Sequence, residues 1–322
     1  MVDLLFYLPF LTPVVTAQFG QRRRWAVYAT YGLLIAINLG LLGFVGLALL
    51  NQLAEVLSPG SMDPEALVVN WLVVAAICLL TAVVAFLPLI PVVRRWMARW
   101  LPIDPGSLVH TTALAFAVYQ IGLSLAQLAL IGNLETLADA EVALTPWDVV
   151  TTGIPLLLFG LAGVGLFVRR DVRGVVERLA LRRPTLRQLL VAVGVTLLLL
   201  AFDYGVTLLW QAVDPAGYDL VDRVANNIFG DLLSLGGAVA LGLSAGISEE
   251  VLFRGAVQPR LGLLLTTLLF AIGHIQYGLT LATVEIYIIG LALGLLRNRT
   301  STTICIVVHA SYNAAGVLLG MA

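Results

Sequence analysis

Charge is what this sequence has least of. Only 11% of its 322 residues are Asp, Glu, Lys or Arg, against about 25% in soluble domains. Hydrophobic residues make up 60%, and mean hydropathy is +0.99. That balance excludes a soluble globule and implies an all-α, polytopic transmembrane helix bundle. Lysine is absent, all 18 basic residues being arginine, and no function follows from that. No basic tract points to nucleic acid. Cysteine occurs twice, at Cys78 and Cys305, both within apolar runs. They read as small core residues rather than a disulfide framework. No Gly-x-Ser-x-Gly elbow is present, which argues against a serine nucleophile, and His-Glu-x-x-His is absent too. No unit of 20–50 residues repeats, and no soluble domain is visible. The first 18 residues are apolar but lack a basic n-region. They read as an interfacial or partly inserted segment rather than a cleaved signal peptide.

What is present is a series of long apolar runs. A membrane-spanning helix needs about 20 apolar residues. Runs that qualify lie at 25–50, 67–92, 109–131, 149–168, 187–211, 233–259, 261–278, 281–296 and 303–321, giving eight to nine spans. Charge in the connections alternates. Arg22, Arg23 and Arg24 precede the first run, and Arg94, Arg95 and Arg99 follow the second. The 51–65 loop carries Glu55, Asp63 and Glu65, and the 132–148 loop, with Glu141 among its acids, has no basic residue. The 169–187 connection holds seven Arg, and Arg260, Arg297 and Arg299 mark later basic ends. By the positive-inside rule the Arg-rich side is cytoplasmic. The expectation is an integral membrane protein, of the plasma membrane, with its N-terminus inside and its C-terminus outside. The 169–187 segment reads as a short amphipathic surface helix whose arginines serve chiefly as a solvated topology determinant.

Polar residues within the runs concentrate after residue 240. Glu249 and Glu250 are adjacent, with Arg254 four residues beyond the second; Phe270 and His274 are four apart, as are His309 and Asn313. A carboxylate at membrane depth is costly unless paired or hydrated, which makes it a candidate functional group. Spacing of four puts each pair on one helix face, so Glu250 reaches Arg254 while Glu249 points about 100° away. Counted from the basic ends at about 1.5 Å per residue, the three groups lie roughly 15, 21 and 10 Å into the bilayer and can converge. A carboxylate and an imidazole can share a water and take its proton. A second imidazole and an amide can donate to an oxyanion. Glu with two His is also a zinc-like ligand set. Either arrangement suits hydrolysis of a carbonyl compound, most naturally a peptide. Asp203 and Glu285 lie mid-run and could face the same cavity, while Ser244 and Ser248 are small enough for close helix packing. His110 reads as interfacial.

At Glu249-Glu250-Val-Leu-Phe-Arg254, Phe270-Ala-Ile-Gly-His274 and His309-Ala-Ser-Tyr-Asn313 the chain resembles the CPBP intramembrane protease family, also called the CAAX-protease, bacteriocin-processing or Abi family. The resemblance divides the chain into 1–232, membrane helices without a motif, and 233–322, a catalytic core. It implies an endopeptidase acting on a membrane-associated peptide or protein substrate, with the site towards the cytoplasmic side. Glu249 would activate water with help from His274, and His309 and Asn313 would hold the oxyanion. Glu250, Arg254 and Phe270 would support them. No cofactor is favoured; were zinc bound, Glu249, His274 and His309 would be its ligands. Two other readings compete with proteolysis. One is a non-catalytic immunity or scaffold protein. The other is an ion-coupled transporter using the Glu/Arg/His cluster.

Overall fold

Long apolar runs in a lipid environment must satisfy their backbone internally, and helices do so within one segment. The computed structural model describes residues 4–20, 22–57, 69–140 and 142–320, and these form helices and no strand. Asp63, Glu65 and Glu141 of the acidic loops lie outside the described residues. The helices are α1 (Leu4–Phe19), α2 (Arg24–Leu57), α3 (Trp71–Phe86), α4 (Pro91–Met97), α5 (Leu108–Ile131), α6 (Leu134–Asp139), α7 (Pro146–Gly163) and α8 (Val172–Arg178). They continue as α9 (Leu186–Val213), α10 (Pro215–Phe229), α11 (Leu235–Glu250), a π-helical turn (Val251–Val257), α12 (Gln258–Leu261), α13 (Leu263–Ile272), α14 (Leu281–Arg299) and α15 (Thr302–Leu319).

Side chains just ahead of the runs set the helix starts. Ser107, Ser234 and Ser301 each accept a hydrogen bond from a backbone N–H three residues on, and Thr145 and Thr185 form capping boxes with Asp148 and Gln188. Eight segments are long and apolar enough to cross a membrane. They match eight of the nine runs read from sequence. The exception is 261–278. Gly262, at φ 82°, separates α12 from α13, and α13 stops after ten residues, about 15 Å. Beyond it His274 adopts φ −104°, ψ 38°, and a 3₁₀ turn at Ile275–Tyr277 leads to Gly278 at φ 68°. Irregular backbone at membrane depth is tolerated where protein buries it or a cavity adjoins it.

The opening segment is a helix with Pro9 and Pro13 inside it, packed against α2, α5 and α7. Small residues bring the last helices together. A Cβ on Gly242 or Gly246 of α11 would lie 2.6–2.9 Å from Ala310 of α15, closer than a side chain tolerates. This Gly-x-x-x-Gly pattern lets the backbones approach. Ser244 donates to the Val149 carbonyl of α7 at 2.8 Å, and Ser248 is buried, as close packing requires. Both cysteines are free and buried. Apolar side chains on α2, α3 and α9 face outward in long stripes, as a lipid-facing surface demands.

The 169–187 connection departs from the solvated helix expected of it. Val175 and Leu179 of α8 pack into a core with Val164, Val251 and Ala256. Arg170 donates to the Val164 carbonyl at 2.6 Å, and Ala180 accepts from the Thr302 amide at 3.2 Å. The segment is docked onto the end of α7, the π-helical turn and the start of α15.

Candidate active site

The close approach of α11 and α15 sets His309 beside the end of α11. His309 Nδ1 lies 2.8 Å from Glu250 Oε1, and the Arg254 guanidinium lies 3.1 Å from the same oxygen. Glu250 is 0% exposed and Arg254 is 1% exposed. Arg254 also donates to the Gly290 carbonyl of α14 at 3.1 Å and stacks 4.2 Å above the Phe270 ring. Phe270 in turn packs against both imidazoles, with centroids 4.9 Å from His274 and 5.8 Å from His309. One fully buried carboxylate is thus met by a guanidinium and an imidazole. A buried pair of this kind contributes little net stability, yet removing one partner costs about 3–5 kcal/mol because it strands a charge.

Glu249, one residue earlier, turns the other way. It lines a cavity of about 1100 Å³ together with His274, His309 and Asn313, while Glu250 and Arg254 stay outside it. Helices α1, α5, α7, α9 and α10 supply the remaining wall, with Phe10, Phe116, Phe159 and Leu156 among its apolar members. Glu249 Oε2 and His274 Nε2 face each other at 3.9 Å, with side-chain exposures of 16% and 25%. Glu249 Oε2 is buried and has no hydrogen-bond partner among the described residues. His274 Nδ1 lies 2.9 Å from the Phe270 carbonyl. A carbonyl only accepts, so Nδ1 carries the proton and Nε2 presents a lone pair to Glu249 in the neutral ring. The unwound backbone after α13 accompanies this geometry, with the imidazole folded back onto the Phe270 carbonyl in the last turn of α13.

Every candidate side chain read from the sequence comes to this one region. Glu249, Phe270, His274, His309 and Asn313 share the cavity wall, and Glu250 and Arg254 lie directly behind it. His309 has a partner that sequence spacing did not reveal, since its Nδ1 is engaged by Glu250. Asp203 and Glu285 also line the cavity, where they interact with each other and with Tyr312. His110 stands apart, its Nδ1 accepting from the Asp104 amide at 2.6 Å. The π-helical turn that follows Glu250 was not anticipated. Its signal in the sequence is Pro259, which removes a backbone donor from the helix that carries the site.

Zinc needs ligands converging within about 2.0–2.3 Å of one point. Among the described residues no three His, Cys, Asp or Glu side chains are grouped to hold a metal. Glu249 faces His274, and both imidazoles make their contacts behind the cavity through Nδ1, His274 with the Phe270 carbonyl and His309 with Glu250.

No curated protein and no solved structure matches the chain. A family model does: residues 231–315 match the family described as type II CAAX prenyl endopeptidase Rce1-like. The match spans all three motifs, beginning just before α11 and ending within α15. Over those residues the chain is similar to the CPBP/CAAX protease family.

Proposed function

We propose that this protein is an intramembrane endopeptidase that hydrolyses a peptide bond of a membrane-associated substrate without a metal ion. The observation that carries the reading is the facing pair of acceptors, Glu249 Oε2 and His274 Nε2, on the wall of a large cavity. A water molecule between them can donate to both. Glu249 takes the water's proton as the oxygen attacks the scissile carbonyl. The resulting oxyanion receives the Asn313 amide N–H. It also receives His309 Nε2–H when that ring is doubly protonated, because the Nδ1 hydrogen is committed to Glu250. Collapse of the tetrahedral intermediate breaks the C–N bond, and the proton held by Glu249 passes to the leaving amine. Glu250, Arg254 and Phe270 fix the helix turn and the two imidazoles.

The helices before residue 231 form most of the apolar wall and so would hold the substrate's membrane segment. With the Arg-rich ends cytoplasmic in the plasma membrane, the catalytic residues sit in the inner half of the bilayer and receive substrate from the cytoplasmic side. The test is proteolysis of a membrane-anchored peptide by purified protein in lipid, prenylated and unmodified, together with metal analysis. Cleavage by metal-free wild type and none by Glu249→Gln is the expected result. Cleavage that survives Glu249→Gln would sink the assignment. Activity that is lost with a stoichiometric metal and restored by it would sink the metal-free mechanism alone. If Glu249→Gln instead retained a biological phenotype without any cleavage, the scaffold reading would stand in its place.

A further inference from the structure

The site's two glutamates sit at the mouth of a helix segment that cannot hold itself together. Immediately after Glu250 the chain widens into the π-helical turn, and the Gln258 amide bonds back to the Phe253 carbonyl, five residues earlier. The next residue is Pro259, which has no N–H. In the π register that missing donor belongs to the Arg254 carbonyl; in the α register it belongs to the Gly255 carbonyl. A backbone carbonyl stranded at membrane depth is costly.

Three arginines occupy this stretch. Arg297 Nε of α14 donates to the Arg254 carbonyl at 3.2 Å. Arg178 Nη1 of α8 donates to the Gly255 carbonyl at 3.3 Å. Arg260 donates to the Ala256 carbonyl and, through its other nitrogen, to the Gly163 carbonyl of α7 at 3.0 Å. Gln258 completes the set, bonding the Gly294 carbonyl of α14 at 2.9 Å and Asn298 at 3.0 Å. Gly255 leaves room for this arrangement, since a Cβ there would lie 2.7 Å from Leu179. Like-charged guanidiniums gather here at a cost: burial, with Arg170 and Arg297 close by, holds Arg178 below the usual arginine range. Only Arg254 of this region meets a carboxylate, so the others are held by carbonyls rather than by ion pairing.

We infer that Arg178 and Arg297 are positioning residues. They supply the hydrogen bonds that Pro259 withholds, and thereby fix the backbone of Arg254 and the register of Glu249 and Glu250 before it. This rests on the protease reading for its kinetic consequence, but not for its structural one. Arg178 comes from α8, outside the segment that matches the family, so the connection between the fourth and fifth long helices becomes part of the catalytic apparatus.

The experiment pairs kinetics with amide hydrogen exchange on the full chain in lipid. Arg297→Met and Arg178→Met are each expected to lower kcat about tenfold, with KM changed by no more than about twofold. Amides of 251–262 should exchange faster while those of α3 do not change. Arg297→Lys, which keeps a donor, should retain more kcat than Arg297→Met, which has none. Adding Pro259→Ala, which restores a backbone N–H, should recover part of the loss in either Met variant. Unchanged kcat and unchanged exchange in both Met variants would overturn the inference. So would an equal loss in Arg297→Lys and Arg297→Met, or a loss that Pro259→Ala fails to relieve. Should wild type cleave nothing, the protease reading falls, and the exchange data alone decide whether the arginines hold the turn.

Discussion

Glu249 and Glu250 are adjacent in sequence and opposite in environment. Glu250 is sealed among Arg254, His309 and Phe270, with no exposure; Glu249 looks into a cavity of about 1100 Å³. The two faces of one helix turn therefore do different work. The sealed face holds charge that must stay paired, and its cost and return are structural. Each carboxylate has one oxygen without a hydrogen-bond partner among the described residues, but only that of Glu249 adjoins the cavity, which is where a base must be to receive a proton. The comparison teaches that two like residues side by side need not form a dyad. A rotation of about 100° along a helix is enough to send one to the protein and one to the cavity.

The sharpest way to break that comparison is to neutralise each side in turn. Glu249→Gln should reduce cleavage by about 10²–10⁴-fold, the range for loss of a general base. Its thermal unfolding should stay near that of wild type, since no protein partner loses a hydrogen bond. Arg254→Leu should do the reverse in stability. It leaves Glu250 buried without its cation and also removes the stacking on Phe270, so a loss of about 3–5 kcal/mol is expected. Denaturation in detergent micelles measures both. If Glu249→Gln proves the more destabilising of the two, the division into open and sealed faces is wrong. Asn313→Ala comes next in size. It removes one cavity-facing donor, and a fall in kcat of about 10²-fold with little change in stability is expected from loss of an oxyanion contact. A change confined to KM would instead assign Asn313 to substrate binding.

Most of this arrangement was legible from local pattern. Eight runs of apolar residues became eight long helices, and fourfold spacing put Glu250 on Arg254, as helix geometry requires, whereas Phe270 and His274 meet across the turn that follows α13. The failures share one cause. Hydropathy counts apolar residues without asking whether the backbone stays helical, so 261–278 read as a full span although Gly262 and the turn after Gly273 cut it to ten helical residues. The same blindness hid the π-helical turn, because an apolar count does not register that Pro259 lacks a backbone donor. Charge counting also missed a second use of the same residues. The arginines of 169–187 fit a topology rule, yet Arg170 and Arg178 are spent on carbonyls of packed helices. Pairings between distant segments, such as His309 with Glu250, leave no trace in spacing, because they depend on Gly242 and Gly246 bringing α11 against α15.

The smallest expected effect lies under the sealed face. Ala180 closes α8 with φ 54°, a left-handed conformation that costs an L-residue with a Cβ about 1–2 kcal/mol. The strain is retained because the turn sends its carbonyl to the Thr302 amide and sets Leu179 against Gly255. Glycine adopts the same φ without that clash, though it loses more chain entropy on folding. Ala180→Gly should therefore raise stability by up to about 1 kcal/mol. The side chain touches neither Glu249 nor the cavity, so kcat should hold within about twofold of wild type. Stabilisation with unchanged kcat would place the sealed face in control of stability and leave the chemistry to the open one. A kcat that moved with the stability would mean that the docking of α8 and the geometry of Glu249 are a single unit, and that the two faces of the turn cannot be separated.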